Sequence, residues 1–254
     1  MTRYIDVEYK DNFCTIRFNR DEKRNAFSNE MSEEVLNAIA EAEKDSRAIV
    51  LSANPDTGVW SSGHDLSEIH NVRDLIDDPM FDLLNRIANC PVPVICAIDG
   101  DVYAGGFLIM LVSDIAIATE RSRFCMPINK MGIPLPTYCY AFAISVLGAR
   151  KAKEMFLCAD LVGASDAYAQ GLLNQVVPGP AQLEQRLSTV LKGIAACLPE
   201  GLAYTKSVFN AMTRDIGCDG RHVAALRPHF DHLAESPEIA RRVDALISKV
   251  GRHA

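Results

Sequence analysis

Two short runs in which apolar and polar residues alternate open the chain, at positions 4–9 and 13–18. Alternation of this kind is typical of half-buried strands, and the polar residues between the runs predict a hairpin turn. Ser28 follows at a position suited to a helix N-cap, ahead of apolar residues at helical spacing. The continuous apolar run at 48–51 then predicts a strand that is buried on both faces.

The order of strand and helix repeats in the middle of the chain. Periodicity predicts helices over about 74–88 and from about 106, and strands over 94–98 and 115–118. Strands that alternate with helices at this spacing are typical of an α/β fold, and here they indicate stacked ββα units rather than a sandwich of two sheets.

The last quarter of the chain is predicted to be helical, because apolar residues recur there at helical spacing. The predicted helices cover 181–197, 199–213, 220–234 and 237–249. A boundary near residue 198 separates a core over 1–198 from a helical region over 199–254. The apolar faces of these helices need cover, so we expect them to pack on the core or on a neighbouring subunit.

Composition and charge exclude several classes of protein. The 254 residues include 26 lysines and arginines against 33 aspartates and glutamates, a net charge of −7, which argues against a nucleic-acid partner. The uncharged stretch at 131–149 is interrupted by Gly132, Pro134 and Pro136, and what remains is too short to cross a ~30 Å bilayer core. Acidic residues precede any apolar run at the N-terminus, so we predict no secretory signal and expect a cytoplasmic location.

Cysteine and histidine usage indicates neither a disulfide framework nor a metal site. The eight cysteines include no CxxC pair and lie mostly among apolar residues, as buried free thiols do. His229 and His232 are three residues apart in a predicted helix, but the spacing specifies no third ligand. We therefore predict no metal.

Two glycine-containing turns follow apolar strands and lead into helices, and they are the first candidates for chemistry. One covers 61–66 and the other 100–107. Glycine allows the backbone to turn and expose N–H groups, and a helix start adds unpaired donors and a positive dipole end. Two such N–H groups that converge would form an oxyanion hole. Neither turn matches a dinucleotide or P-loop fingerprint, and a purely structural role stays open for both.

A series of short motifs runs along nearly the whole chain. The motifs are Arg24-Asn25-Ala26-Phe27, Val50-Leu51-Ser52, Ser62-Gly63-His64-Asp65-Leu66, the run 93–100, Gly105-Gly106, Ser113-Asp114-Ile115, Leu147-Gly148, the run 164–167 and the run 171–177. Together they resemble the enoyl-CoA hydratase/isomerase (crotonase) family, which implies a crotonase-like spiral of stacked ββα units. The Gly-His-Asp triplet at 63–65 and the Gly-Ile-Pro at 132–134 look most like the decarboxylases of methylmalonyl-CoA within that family.

The resemblance implies a site for an acyl-CoA. The backbone N–H groups of His64 and Gly105 would hold the thioester carbonyl oxygen, which agrees with the interpretation of the two turns. Coenzyme A would enter as part of the substrate, with no separate cofactor, and Lys206 would meet one of its phosphates. The nucleotide arm would lie along Ala26, Ser62, Gly63, Asp65 and Leu66. A homotrimer or a dimer of trimers is also implied.

Departures from the family pattern bear on the reaction. Hydratases of the family use two glutamates, whose positions are occupied here by Leu108 and Ile128, and the usual base of the isomerases falls at Pro136. The decarboxylases have a tyrosine at the position of Leu135 and a glutamate at that of Leu108. The pocket floor is therefore predicted to be apolar, which disfavours hydration because both acid–base groups are missing. Decarboxylation of a malonyl-type thioester needs no base and is favoured.

Several side chains could orient a carboxylate or donate a proton, namely His64, Asn129, Lys130, Tyr138 and Tyr140. Core packing is the alternative for the two tyrosines, and His64 could act through its backbone alone. The catalytic candidates are His64, Gly105, Tyr138 and Tyr140, and the candidates for the acyl pocket are Gly106, Leu108, Ile128 and Leu135. Two alternatives stay open: a hydratase or isomerase with a relocated acid–base group, and a CoA-thioester-binding protein with little catalysis.

Overall fold

Strands and helices alternate from the N-terminus, as the pattern predicts. The computed structural model describes residues 3–55, 57–68, 78–215, 232 and 235–250. Its strands are β1 (Ile5–Lys10), β2 (Phe13–Phe18), β3 (Ala26–Phe27), β4 (Ile49–Ala53), β5 (Val59–Ser61), β6 (Gly63–His64), β7 (Val94–Ile98), β8 (Asp101–Tyr103), β9 (Ile115–Thr119), β10 (Arg123–Cys125), β11 (Val162–Gly163) and β12 (Gln175–Val177). Its helices are α1 (Asn29–Asp45), α2 (Pro79–Asn89), α3 (Ala104–Val112), α4 (Ile128–Met131), α5 (Thr137–Cys158), α6 (Ala164–Ala169), α7 (Pro180–Ala195), α8 (Pro199–Asp215) and α9 (Pro237–Val250).

The main sheet has six strands in the order β1-β2-β4-β7-β9-β12. β1 and β2 form the predicted antiparallel hairpin, and the other neighbours in this sheet are parallel. The central strands are continuous apolar runs because helices cover both faces of the sheet. On β4, Leu51 belongs to the same apolar cluster as Val35 and Ile39 of α1, whereas Val50 clusters with Leu183 of α7.

Two smaller sheets carry the two glycine turns. One has four strands in the order β11-β10-β8-β5, and the other pairs β3 with β6, so that Ala26 lies beside Gly63 and Phe27 beside His64. β5 also pairs with β8, and β8 leads directly into α3. The two turns therefore come from neighbouring strands, and this brings them to one place in the fold.

The start of α2 differs from the prediction. The helix begins at Pro79 rather than near residue 74, and residues 74–77 lie outside the described part of the chain. Asp78 is the N-cap, since its Oδ1 accepts a 2.8 Å hydrogen bond from the Met80 N–H. Pro79 suits the first helical position, because the N–H that proline lacks would have no acceptor within the helix.

The predicted C-terminal helices are present over the described residues. α9 brings Ile239 and Val243 into the main apolar cluster, so this helix packs on the core. α8 leaves Tyr204, Phe209 and Met212 exposed, with 66% of Phe209 accessible to solvent. An apolar face of this kind is compatible with a subunit contact, and the trimer or dimer of trimers stays a prediction.

Two further expectations concern the whole chain. The helix predicted at 220–234 lies outside the described residues apart from position 232, and the division into two regions near residue 198 stays a prediction. Within the part of the chain that the structure describes, no helix is both long enough and apolar enough to cross a membrane.

Candidate active site

A cavity of about 280 Å³ lies where the two glycine turns meet the first turns of α2 and α3 and the helix α4. It is lined by Ser62, His64, Leu66, Met80, Phe81, Tyr103, Ala104, Gly105, Leu108, Pro127, Ile128, Lys130, Met131, Ile133 and Leu135. The cavity thus brings together residues from both turns with the leucines and the isoleucine expected at the pocket floor.

The two turns touch each other through glycines that leave little room for a side chain. Gly63 has a φ of +100°, and a Cβ built on it would lie 3.0 Å from the Gly105 nitrogen. A Cβ on Gly105 would lie 3.3 Å from the His64 nitrogen, and one on Gly106 would lie 2.7 Å from the Ser61 Cβ. The backbone nitrogens of His64 and Gly105 are therefore close neighbours, and Gly106 serves close packing behind them.

The start of α3 presents unpaired N–H groups to the cavity. Gly105 is the second residue of this helix, and the first four N–H groups of a helix have no intrahelical acceptor. Tyr103, the N-cap residue, supplies no side-chain hydrogen bond to this end. Ala104 has a φ of +46°, a conformation that costs a residue with a Cβ on the order of 1 kcal/mol. Open donors and a positive dipole end can together polarise a carbonyl placed here.

The imidazole of His64, on the cavity wall, is held at both ring nitrogens. Nδ1 lies 3.1 Å from the Asp65 carbonyl oxygen, and Nε2 contacts Oδ2 of Asp78. Burial lowers the pKa of His64, but the hydrogen bond and charge of Asp78, together with the Asp65 carbonyl, outweigh burial and raise the pKa above its usual value. Because both partners are acceptors, the protonated ring satisfies both contacts at once.

Asp78 is the site residue that the sequence interpretation missed. It lies 14 residues beyond His64, in a different structural unit. The only local signal was an acidic side chain directly before a proline, which marks a helix N-cap and says nothing about a cavity. Its carboxylate reaches the imidazole because the first turn of α2 lies beside β6 in the folded chain.

Asp65 and Ala26 lie outside this cavity and support the turn, and their contact with the nucleotide arm of coenzyme A stays a prediction. Arg20 forms a 2.8 Å ion pair with the Asp65 carboxylate and donates a 2.7 Å hydrogen bond to the Ala26 carbonyl oxygen. Burial raises the pKa of Asp65, but hydrogen bonds from Ser67 and Arg20 outweigh it and lower the pKa. Arg20 therefore ties β3 to the residue that follows β6.

The floor of the cavity is apolar. Leu108, Ile128 and Leu135 line it, and all three are buried. Lys130 also borders the cavity, but its Nζ donates a 3.0 Å hydrogen bond to the Ala159 carbonyl oxygen. Among the residues that the structure describes, no aspartate or glutamate lines the cavity. The described walls thus hold no carboxylate that could act as a base on a bound substrate.

The two tyrosines named as catalytic candidates do not line the cavity. The hydroxyl of Tyr138 donates a 3.4 Å hydrogen bond to the Phe81 carbonyl oxygen, and that of Tyr140 accepts one of 3.4 Å from the Leu135 N–H. Asn129 likewise donates its amide to a backbone carbonyl of α5. These polar groups join neighbouring elements, and the catalytic assignment of both tyrosines stays a prediction.

Lys206 also lies away from this cavity and borders a separate pocket with Asn89, Tyr204 and Asn210, where protein acceptors surround its ammonium group. Only 7% of its side chain is exposed, and Nζ lies 2.6 Å from an Asp114 carboxylate oxygen. Nζ also donates to the carbonyl oxygens of Ile87 and Val92, at 3.1 and 3.2 Å. An ammonium group has three protons, and these contacts use all of them. Lys206 therefore ties α8 to the end of α2 and to the main sheet, and its contact with a phosphate of coenzyme A stays a prediction.

Metal ligation has no support in the described part of the chain. No group of three His, Cys, Asp or Glu side chains that could hold a metal ion occurs there. His229, one of the two histidines considered as ligands, lies outside it.

Comparison with known proteins identifies similar sequences. The family profile described as Enoyl-CoA hydratase/isomerase matches residues 8–238. Methylmalonyl-CoA decarboxylase of Escherichia coli (strain K12) is 30% identical over 179 residues, which are 69% of this chain and 69% of that protein. 4-Chlorobenzoyl coenzyme A dehalogenase-1 of Arthrobacter sp is 28% identical over 204 residues, which are 76% of this chain and 72% of that protein.

Solved structures show the same fold. A structure of methylmalonyl-CoA decarboxylase in complex with 2-nitronate-propionyl-CoA has a TM-score of 0.93 and 25% sequence identity, and the match covers 98% of this chain and 97% of that one. This similarity confirms the predicted α/β fold of the crotonase type. The sequence profile spans well over half of the residues, and the chain belongs to the enoyl-CoA hydratase/isomerase family.

Proposed function

We propose that the cavity binds the acyl end of a CoA thioester and that the protein decarboxylates a small malonyl-type acyl-CoA. Coenzyme A takes part only as a portion of the substrate. The observation that carries the proposal is the pairing of two backbone donors, at His64 and Gly105, with an apolar floor at Leu108 and Ile128. Such a site can stabilise an enolate, but it offers no carboxylate base among its described walls.

Decarboxylation matches this arrangement step by step. The bond between the α-carbon and the carboxylate breaks, CO₂ leaves, and the electron pair moves towards the thioester carbonyl oxygen. The two N–H groups then stabilise the resulting oxyanion, and a proton from solvent water adds to the α-carbon as the electron pair returns from the oxygen. The apolar residues Leu108 and Ile128 disfavour the substrate carboxylate more than they disfavour neutral CO₂, so they assist the departure of CO₂.

Hydration asks for more than the described walls provide. One group must activate water and another must protonate the α-carbon, and each such group contributes about 10²- to 10⁴-fold to the rate. The cavity volume of about 280 Å³ favours a short acyl chain. The likeness to methylmalonyl-CoA decarboxylase in sequence and in structure also supports a small branched malonyl-type substrate.

One experiment separates this proposal from its alternatives. The purified protein is incubated with malonyl-CoA, methylmalonyl-CoA and crotonyl-CoA, while CO₂ release and the enoyl absorbance are followed. We expect CO₂ from a malonyl-type substrate and little loss of enoyl absorbance. If crotonyl-CoA is turned over and neither malonyl-CoA nor methylmalonyl-CoA releases CO₂, the proposal is contradicted in favour of a hydratase with a relocated acid–base group. Tight binding with no turnover of any of the three would contradict it in favour of a CoA-thioester-binding protein.

A further inference from the structure

The first turn of α2 touches both halves of the donor pair. Asp78 contacts the His64 imidazole, and the Met80 side chain lies over Gly105, since a Cβ built there would be 2.6 Å from Met80 Sδ. The same Asp78 carboxylate accepts the Met80 N–H, so one side chain joins the two contacts. Asp78 is also buried, which keeps water from competing for its oxygens.

We propose that Asp78 is a positioning residue for the oxyanion hole: it holds the His64 imidazole as a double hydrogen-bond donor and thereby fixes the direction of the His64 backbone N–H. The proposal rests on the proposed function, because it assumes that this N–H binds the thioester oxygen. Asp78 acts through His64 and does not line the cavity itself.

The geometry explains why a remote carboxylate matters to a backbone group. β6 is only two residues long and contains Gly63 at a φ of +100°, so the local ladder restrains the His64 peptide weakly. The imidazole supplies the missing restraint, because it is fixed at Nδ1 by the Asp65 carbonyl and at Nε2 by Asp78. A ring held at both nitrogens cannot rotate without breaking one of these hydrogen bonds.

The same contacts limit what the His64 side chain can do in the reaction. With both ring N–H groups directed at protein acceptors, neither is free to protonate the α-carbon of a substrate. The ring instead places a positive charge, balanced by Asp78, next to its own backbone N–H. Among the described residues, the charged groups that act on the imidazole are Asp78 and, at longer range, Glu68.

The test uses Asp78→Asn with Asp99→Asn as the matched control. Asparagine at 78 keeps an oxygen for the Met80 N–H but turns an amide donor towards Nε2, so His64 becomes neutral. Asp99 accepts hydrogen bonds of 2.7 Å from Arg121 Nε and 2.8 Å from Thr119 outside the cavity, so its substitution removes a comparable carboxylate that contacts neither His64 nor Met80. Asp78→Ser serves as a second variant, since it preserves a cap oxygen but is too short to reach His64.

Two readouts report on the site independently of turnover. Nitrogen NMR of isotope-labelled histidine should show both His64 ring nitrogens protonated near neutral pH in the parent, and only one in Asp78→Asn. Isotope-edited infrared spectra of bound propionyl-CoA should show the thioester carbonyl stretch lowered in the parent and in Asp99→Asn, and lowered less in both position 78 variants. We expect kcat for decarboxylation to fall about 10-fold with KM nearly unchanged, which is less than the roughly 10²-fold cost of losing one donor.

The outcomes separate the two proposals. A carbonyl stretch that binding leaves unchanged in the parent would contradict the oxyanion hole and with it the proposed function. A lowered stretch that is equal in the parent and in the position 78 variants would overturn the role of Asp78 alone, whatever the reaction. A neutral His64 in the parent would overturn it too, and because this measurement needs no variant, it holds even if the substitutions prevent folding.

Discussion

Two largely buried ion pairs each join elements that are distant along the chain, and they differ in what lies beside them. His64 and Asp78 connect β6 to α2 at the edge of the cavity, and the imidazole forms part of its wall. Lys206 and Asp114 connect α8 to the start of β9, and the ammonium group is surrounded by backbone carbonyls. Both pairs satisfy the charges that they bury, but only the first one borders the cavity in which the two glycine turns meet, whereas Lys206 borders a separate pocket.

The difference shows that burial and charge do not by themselves mark a functional residue. Lys206 is the more obvious candidate in the sequence, because the resemblance to the family predicts that a basic residue on a C-terminal helix meets a phosphate. The structure turns it inwards, and all three of its protons are used by the protein. Asp78 has no motif of its own, yet it reaches a residue whose backbone faces the cavity. What separates the two pairs is position relative to the cavity.

The test with the largest expected effect places two carboxylates in the apolar floor of the cavity, where neither has a cation to pair with. Leu108→Glu combined with Ile128→Glu would bury two carboxylates in an apolar floor, so we expect the free energy of unfolding to fall by about 5 kcal/mol. The same double variant should gain measurable, modest hydration of crotonyl-CoA, because the donors are present and only proton transfer is missing. Urea unfolding and the enoyl absorbance measure the two effects.

The single variants are the control for the double one. Each should gain little hydration, because the reaction needs both an acid and a base. If the parent already hydrates crotonyl-CoA as fast as the double variant does, the inference that the cavity lacks its acid–base groups is wrong.

The second test breaks the pair that lies away from the cavity. Lys206→Met leaves Asp114 without its cation and removes the hydrogen bonds to the Ile87 and Val92 carbonyl oxygens, so we expect the free energy of unfolding to fall by about 3 kcal/mol. This value lies at the lower end of the usual cost of removing one partner of a buried ion pair, because a quarter of the Asp114 side chain is exposed. Isothermal calorimetry should show unchanged affinity for propionyl-CoA. A large loss of affinity in a folded variant would restore Lys206 as a phosphate ligand.

The third test removes a donor on the cavity side. Gly105→Pro deletes the N–H at the second position of α3, where the helix itself needs no donor, so we expect turnover to fall by about 10²-fold, or about 2.7 kcal/mol. Gly105→Ala keeps the N–H and should lose less, although its Cβ would push on the flexible end of Met80. Equal turnover in the parent and a folded proline variant would remove Gly105 from the oxyanion hole.

The smallest effect is a difference in how the two pairs respond to pH. Asp78 outweighs burial and raises the pKa of His64 in the folded state. The stability that this shift contributes is therefore complete below the unfolded pKa of 6.5, and it is lost as pH rises through the folded pKa. Burial raises the pKa of Asp114, although Lys206 opposes this shift. The stability that the Asp114 shift contributes is therefore lost as pH rises from about 3.8, the unfolded pKa of the carboxyl group.

Urea unfolding across pH checks this difference. Asp78→Asn should flatten the stability curve above about pH 6.5, whereas Asp114→Asn should change it from near pH 3.8 upwards. If both variants change the dependence of stability on pH in the same pH range, the assignment of one pH range to each ion pair is incorrect.

Local patterns in the sequence determined most of the framework. The hairpin of β1 and β2, the Ser28 cap of α1 and the apolar strands β4 and β7 all follow from alternation, capping and apolar runs. The two glycine turns were also visible, because a φ such as that of Gly63 restricts the residue type at that position. The apolar floor was predicted only through the resemblance to a family, since Leu108 and Ile128 have no signal of their own.

Only the tertiary structure decided which side chains share the cavity. Asp78 meets His64 across 14 residues and Lys206 meets Asp114 across 92, and no periodic pattern relates positions so far apart. Tyr138 was a reasonable candidate in the sequence, yet its hydroxyl bonds to a backbone carbonyl of α2. The physical reason is that turns and periodicity depend on neighbouring residues, whereas the surroundings of a side chain depend on how separate elements pack.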